Sequence, residues 1–152
     1  MEDLPARLQE SDYAALVRQS VFLYPLANVT HVLAVLVFFA SVAAMDLRLL
    51  GVFKGVPTQV LIARLRPAAV VAFSVIVVSG FSLFAPEAAA IGRNTAFRLK
   101  LVAIVVALAN VWVSARVLRR DGEGAPLVRV TAGLSLALWL AAAAAGRLIA
   151  YL

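Results

Sequence analysis

The sequence predicts an all-α protein with a single transmembrane domain over residues 1–152, an integral membrane four-helix bundle with short interfacial helices. Of the 152 residues, 64% are hydrophobic and 14% are charged, and the mean hydropathy is +0.98. A globular chain of this length cannot bury so much apolar surface in its own core. Four apolar stretches approach the roughly 20 residues that a helix needs to cross a bilayer, and none alternates in polarity as a barrel strand does. They cover approximately residues 25–47, 67–84, 97–118 and 128–151.

The segments outside these spans predict short helices at the membrane surface. Residues 11–20 combine a helix-capping Ser11 with spaced apolar side chains, which is typical of an interfacial helix. The N-terminal segment is acidic and lacks a basic region followed by an apolar core, so we expect the first span to remain in the mature protein. After the first span, residues 58–66 predict an amphipathic surface helix that ends at Pro67.

Basic residues predict the orientation of the spans. They concentrate in the loop between the first two spans and in the stretch that joins the last two. Positively charged loops stay in the cytoplasm, so we expect a bacterial inner membrane protein with both termini outside. Contact with an anionic lipid bilayer explains most of the net charge of +6, and no nucleic-acid partner is expected. The loop residues are Arg48, Lys54, Arg64, Arg66, Arg116, Arg119, Arg120 and Arg129.

His31 is the only histidine and lies near the start of the first span. A polar imidazole in hydrocarbon is costly unless it is bonded, so an intramembrane ionisable residue is a functional candidate. Cysteine is absent, which excludes disulfides, thiolate metal sites and iron–sulfur clusters. A cofactor would therefore be held by nitrogen, oxygen or Met45. At the other end of this span, Asp46 and Arg48 are interpreted as capping and anchoring residues.

Three nitrogen-bearing side chains are expected at one depth. With spans of alternating direction, His31 lies about 9 Å inside the start of the first span at about 1.5 Å per residue. Lys100 comes a few residues after the start of the third span, and Arg147 comes shortly before the end of the fourth. We therefore expect all three residues in the outer leaflet.

Stripes of residues at helical spacing predict the inward faces of three spans, and the stripe of the third span is small or polar throughout. Such stripes permit close helix packing, and they also leave room for a flat prosthetic group, so both interpretations stay open. The opposite face of the third span carries Leu101, Val105, Leu108 and Trp112, which we expect to face lipid or bulky neighbours. The stripes are His31, Ala34, Val35, Phe38, Val42 and Met45; then Lys100, Ala103, Ala107, Asn110 and Ser114; then Gly133, Ala137, Ala141 and Ala145.

The available ligands favour haem over copper. Copper transport needs several Met, His or Cys ligands, and Met45 is most of a membrane thickness away from His31. Haem needs one or two axial nitrogens, a slot between helices and cations for its propionates. His31 and Lys100 are therefore the candidate metal ligands, with Lys100 able to bind iron only as a neutral amine. The candidate cofactor-binding residues are His31, Lys100, Arg147, Arg98, Asn28 and Asn110.

From Tyr24 onward the chain resembles a family of uncharacterised small bacterial four-helix membrane proteins. The resemblance rests on His31, residues 46–51 and 97–101, Asn110 and residues 146–151. That family is distantly similar to copper-resistance D-type membrane domains and to HemJ-type protoporphyrinogen oxidases. The HemJ-type resemblance implies a b-type haem, an essential histidine matching His31 and a lysine matching Lys100. Those oxidases tend to have another histidine later in the third helix, where this chain has Asn110.

The sequence therefore predicts a membrane protein that binds haem b and serves electron transfer or a porphyrin-linked oxidation. A quinone or a redox protein would be its partner. In a homodimer, two facing His31 side chains could instead supply both axial ligands of the haem. No general base, nucleophile or phosphate loop is recognised. The competing interpretation is a non-catalytic membrane subunit or small-molecule carrier without a metal, in which His31, Lys100 and Arg147 only join the helices.

Overall fold

The computed structural model describes residues 4–52, 55–149 and 151, and every regular element within them is helical. Four of the helices, those that begin at Leu23, Thr58, Thr95 and Pro126, are long and apolar enough to cross a membrane, which confirms the predicted all-α class and is compatible with the predicted membrane bundle. The helices are α1 (Leu4–Gln9), α2 (Asp12–Gln19), α3 (Leu23–Leu49), α4 (Thr58–Phe84), α5 (Ala88–Arg93), α6 (Thr95–Asp121) and α7 (Pro126–Leu148), with a 3-10 turn at Ala85–Glu87 between α4 and α5.

The structure has a helix, α2, where the sequence predicts one at residues 11–20. The Ser11 side chain caps it, because its Oγ accepts a hydrogen bond from the Ala14 amide at 3.2 Å. Ala14 is buried, and the Tyr13 hydroxyl forms a 2.7 Å hydrogen bond with Ser82 near the end of α4. The helix α2 is thereby fastened across the end of the bundle at which α3 begins.

The separate surface helix predicted for residues 58–66 is wrong. The helix α4 continues from Thr58 through Pro67 to Phe84. A proline removes one backbone hydrogen bond, which packing against neighbouring helices can offset. Ala69 and Ala72, two and five residues after Pro67, are buried in the core. The helix is therefore packed against its neighbours just after the proline. At the other end of the chain, α7 stops at Leu148, before the predicted limit of 151, and residue 150 lies outside the described residues.

The inward face of α6 follows the predicted stripe. Ala107 and Asn110 are buried and Lys100 is half-buried, whereas the opposite face with Trp112 is exposed. The small-residue seam predicted for α7 is wrong, because Ala137 and Ala141 are exposed. Alanine loses little by facing lipid, whereas hydroxyls and a large ring gain from the interior. The buried face of α7 accordingly consists of Val128, Thr131, Ala132, Ser135, Trp139 and Ala142.

The four long helices pack as two hairpins. The most extensive packing joins α3 to α4 and α6 to α7, and a smaller contact between α3 and α7 connects the hairpins. An aromatic cluster fills the centre, where the rings of Phe38 and Trp139 lie 4.6 Å apart and Phe73 lies 5.5 Å from Phe38. Ala107 and Ala72 complete this core from α6 and α4. The cluster separates the two ends of the bundle.

The end at which α3 and α6 begin is called the His31 end, and the opposite end is called the Arg48 end. At the Arg48 end, Glu123 accepts a hydrogen bond from Thr58 and lies 3.6 Å from the Arg48 guanidinium. Arg48 also donates to the Val56 carbonyl at 2.5 Å. These contacts tie the two loops of this end together. Lys54, assigned to the basic loop, lies outside the described residues.

Candidate functional site at the His31 end of the bundle

The His31 imidazole is held by α4. Its Nδ1 lies 2.9 Å from the Ser79 hydroxyl oxygen. Ser79 is buried, and its own hydroxyl lies 2.6 Å from the Val75 carbonyl one turn earlier. A hydroxyl has one proton, and a carbonyl can only accept, so Ser79 donates to Val75 and accepts from His31. The Ser79 bond places the proton of the neutral imidazole on Nδ1, and the backbone of Ile76 on α4 is a second hydrogen-bond partner of the ring.

Glycines make space for the two candidate ligands. A Cβ atom at Gly80 would lie 3.1 Å from His31 Cε1, and one at Gly146 would lie 3.3 Å from Lys100 Nζ. The imidazole therefore packs on the backbone of α4, and the lysine side chain extends along the backbone of α7. His31 thus packs within the hairpin of α3 and α4, and Lys100 packs within the hairpin of α6 and α7.

The structure brings His31 and Lys100 together at the same end of the bundle. Both side chains are half-buried, and the charge of Lys100 is close enough to act on the imidazole. Among the described residues, no acidic side chain pairs with Lys100. In the same part of the chain, no three His, Asp or Glu side chains cluster as a metal-binding group. A metal held here by His31 would take most of its ligands from a non-protein group.

Arg147 and Arg98 do not join this pair. Arg147 is exposed, and its guanidinium donates to the Tyr151 hydroxyl at 2.7 Å and lies 5.0 Å from the Tyr151 ring. The helix α7 ends one residue later, so the long side chain can extend beyond the bundle. Arg98 is exposed as well and donates to the Gly92 carbonyl at 3.2 Å.

The two asparagines also lie apart from the pair. Asn110 is buried and donates to the Thr131 carbonyl at 2.9 Å, which fastens α6 to α7. It follows Lys100 by ten residues, or about 15 Å of helix. Its predicted place on the inward stripe is confirmed, and its hydrogen bond joins two helices away from His31 and Lys100. Asn28 is exposed on α3.

Sequence reasoning missed Ser79, Gly80 and Gly146. Gly80 and Gly146 both lie a few residues before the ends of their helices, at the depth of His31 and Lys100. A glycine at the depth of a large polar side chain is the signal that could have found them, because the missing Cβ leaves space for that side chain. The serine hydroxyl next to Gly80 then supplies the hydrogen bond that the imidazole needs.

An apolar groove lies on the other side of Ser79. It has a volume of about 550 Å³ and is formed by α2, α3 and α4. Because Ser79 both lines the groove and bonds to His31, one side chain separates the groove from the imidazole. The lining residues include Leu16, Val17, Leu26, Thr30, Val78 and Ser79.

Comparison with known proteins gives a family and no function. A family model described as a family of unknown function (DUF6644) matches residues 15–152. No curated protein matches the chain. No solved structure matches it.

Proposed function

We propose that this chain, which belongs to the DUF6644 family of unknown function, is a membrane protein that binds haem b at His31 and serves one-electron transfer. The observation that carries the proposal is the Nδ1 contact of His31 with Ser79 at 2.9 Å. Metal-binding histidines are usually oriented by a hydrogen bond from the other ring nitrogen. Ser79 provides that bond and leaves Nε2 available as an axial ligand.

The surrounding residues fit a haem better than a bare metal ion. A haem supplies four nitrogen ligands of its own, so a single protein histidine is enough to hold it. The space left by Gly80 lets the imidazole lie against α4. In this proposal the planar group enters from the boundary between the two hairpins. The resemblance of His31 and Lys100 to the histidine and lysine of HemJ-type oxidases, which rests on the sequence alone, would imply the same cofactor.

Lys100 would neutralise a haem propionate. It has no acidic partner among the described residues, and it extends from the hairpin opposite to His31. A desolvated ammonium group without a partner is costly, and a propionate carboxylate would offset that cost. The second arrangement, with a neutral Lys100 amine as an axial ligand, makes a different spectral prediction and is tested below.

The apolar groove beside Ser79 suggests the redox partner. An apolar electron carrier such as a quinone could occupy it from the membrane, one side chain away from the imidazole. In this proposal, the basic loops of the Arg48 end face the cytoplasm of a bacterial cell and the His31 end lies in the outer leaflet. A homodimer that pairs two His31 side chains remains the alternative source of a second axial ligand.

The experiment is an absorption spectrum of the protein purified from haem-supplied cells. We expect a Soret band in the wild type and a changed or weakened band in Ser79→Ala, because the imidazole loses the bond that orients it. If Lys100 pairs with a propionate, Lys100→Met should lower haem affinity and leave the spectrum unchanged. If Lys100 is an axial ligand, the haem should persist with a different spectrum, since methionine can also bind iron.

The substitution Arg147→Leu tests whether an exposed arginine at this end contributes to haem binding. Because Arg147 pairs with Tyr151 outside the bundle, we expect this variant to keep its haem content. Absence of a Soret band from well-folded wild type under haem supply would contradict the proposal. That result would favour a membrane subunit or carrier without a metal.

A further inference from the structure

A second polar site lies at the Arg48 end, on the other side of the aromatic cluster. Asp46 on α3 is only 8% exposed. Its carboxyl accepts a hydrogen bond from the Ser135 hydroxyl on α7, and its Oδ2 atom is buried without any partner among the described residues. The predicted role as a capping or anchoring residue does not explain this position. A capping carboxyl would bond to a backbone amide and an anchoring one would reach water, but Asp46 Oδ2 does neither.

The surroundings of Asp46 are unfavourable for a carboxylate. No ion pair joins it to a cation among the described residues, since Arg48 on its own helix binds Val56 and Glu123 instead. Arg64 and Arg66 on α4, Arg116 on α6 and Arg129 on α7 are all exposed. Asp46 also lies three residues before the C-terminal end of α3. The helix dipole is negative at that end and opposes a second negative charge.

A buried indole N–H on α7 does not compensate for these unfavourable surroundings. The indole Nε1 of Trp139 lies on α7 four residues after Ser135, and it too is buried without a partner. Because both atoms are unpartnered, the indole does not donate to the carboxyl. Ser135 is therefore the one side chain that the described residues provide for Asp46. Burial of an unpaired charge costs far more than burial of a neutral acid, so the acid form is favoured.

We propose that Asp46 is a proton-binding site within the membrane domain. The proton comes from water at the Arg48 end and forms an O–H bond at Oδ2, while Ser135 keeps its hydrogen bond to the other oxygen. Release returns the proton to water and leaves the carboxylate. About 4.5 Å of helix separates Asp46 from the end of α3, so exchange from this end is the short route. This site is independent of any haem at the opposite end.

Infrared spectroscopy in an ester-free detergent tests the proposal. The wild type at about pH 5, where exposed carboxyl groups are already ionised, should show the carbonyl stretch of a protonated carboxylic acid, and this band should be lost in Asp46→Asn. Asp121→Asn is the matched control, because Asp121 ends α6 at the same end of the bundle and its side chain is 42% exposed. We expect the band to be unchanged in that variant.

A pH titration gives the second measurement. Ser135 donates to the carboxyl and so favours its charged form. Ser135→Ala should therefore move the midpoint at which the band disappears to higher pH, and this readout does not require Asp46→Asn to fold. A wild type without the band at about pH 5 would overturn the proposal. A midpoint unaffected by Ser135→Ala, or a band that disappears on addition of sodium at constant pH, would also overturn it.

Discussion

Gly80→Ala tests whether the imidazole packs on the backbone of α4. The new Cβ would lie 3.1 Å from His31 Cε1 and 3.5 Å from Nδ1. The ring cannot simply turn away, because Nδ1 is bonded to the neighbouring Ser79. Overpacking costs about 1–3 kcal/mol, and replacing a helical glycine recovers about 0.5–1 kcal/mol. We expect a net loss of up to about 2.5 kcal/mol in the free energy of unfolding.

Two further glycines are matched controls for this measurement. A Cβ at Gly133 meets nothing within 4 Å, so Gly133→Ala should be neutral or stabilising by up to about 1 kcal/mol. A Cβ at Gly146 meets the flexible end of Lys100, which can move, so the cost should be small. The assay is reversible unfolding in detergent, with haem content recorded in parallel. Equal stability of Gly80→Ala and Gly133→Ala would refute the packing argument.

Three other substitutions test the bundle with the same unfolding assay. Phe38→Ala should cost about 3–5 kcal/mol, because the ring is buried in the aromatic cluster; a loss below about 1 kcal/mol would contradict that placement. Asn110→Ala should cost about 1 kcal/mol through its bond to the Thr131 carbonyl and leave haem content unchanged; a loss of haem would place Asn110 in the site. Glu123→Gln should cost at most about 1 kcal/mol, less at high salt, since its side chain is 55% exposed; a salt-independent loss would refute the ionic contact.

The spans and the inward stripe of α6 could be predicted because each depends on a local pattern. Membrane crossing requires a long apolar run, and burial of Lys100, Ala107 and Asn110 follows from helical spacing. The face of α7 could not be predicted in this way. Small residues at every fourth position also fit a lipid-facing surface, and the choice depends on where Trp139 finds partners on α3 and α4.

The candidate site could likewise be predicted only in part, because some of its features follow from position along a helix and others from how the helices pack. The depth of His31 and Lys100 follows from counting residues along helices, so their meeting at one end was predictable. The hydrogen bond of His31 to Ser79 joins residues 48 positions apart and depends on how α3 and α4 pack. The direction of Arg147 depends on where α7 ends, which differs by three residues from the predicted limit of the span.

The haem-to-protein ratio of His31→Ala tests the central claim most directly. Wild type, His31→Ala and Leu33→Ala should be expressed with haem supply and purified in parallel, and haem should be measured after extraction. Leu33 is the control, because it lies two residues away on α3 and is 57% exposed. We predict a fixed ratio in the wild type and Leu33→Ala, and strongly reduced haem in a folded, membrane-inserted His31→Ala. Full haem content with an unaltered spectrum in His31→Ala would contradict the account.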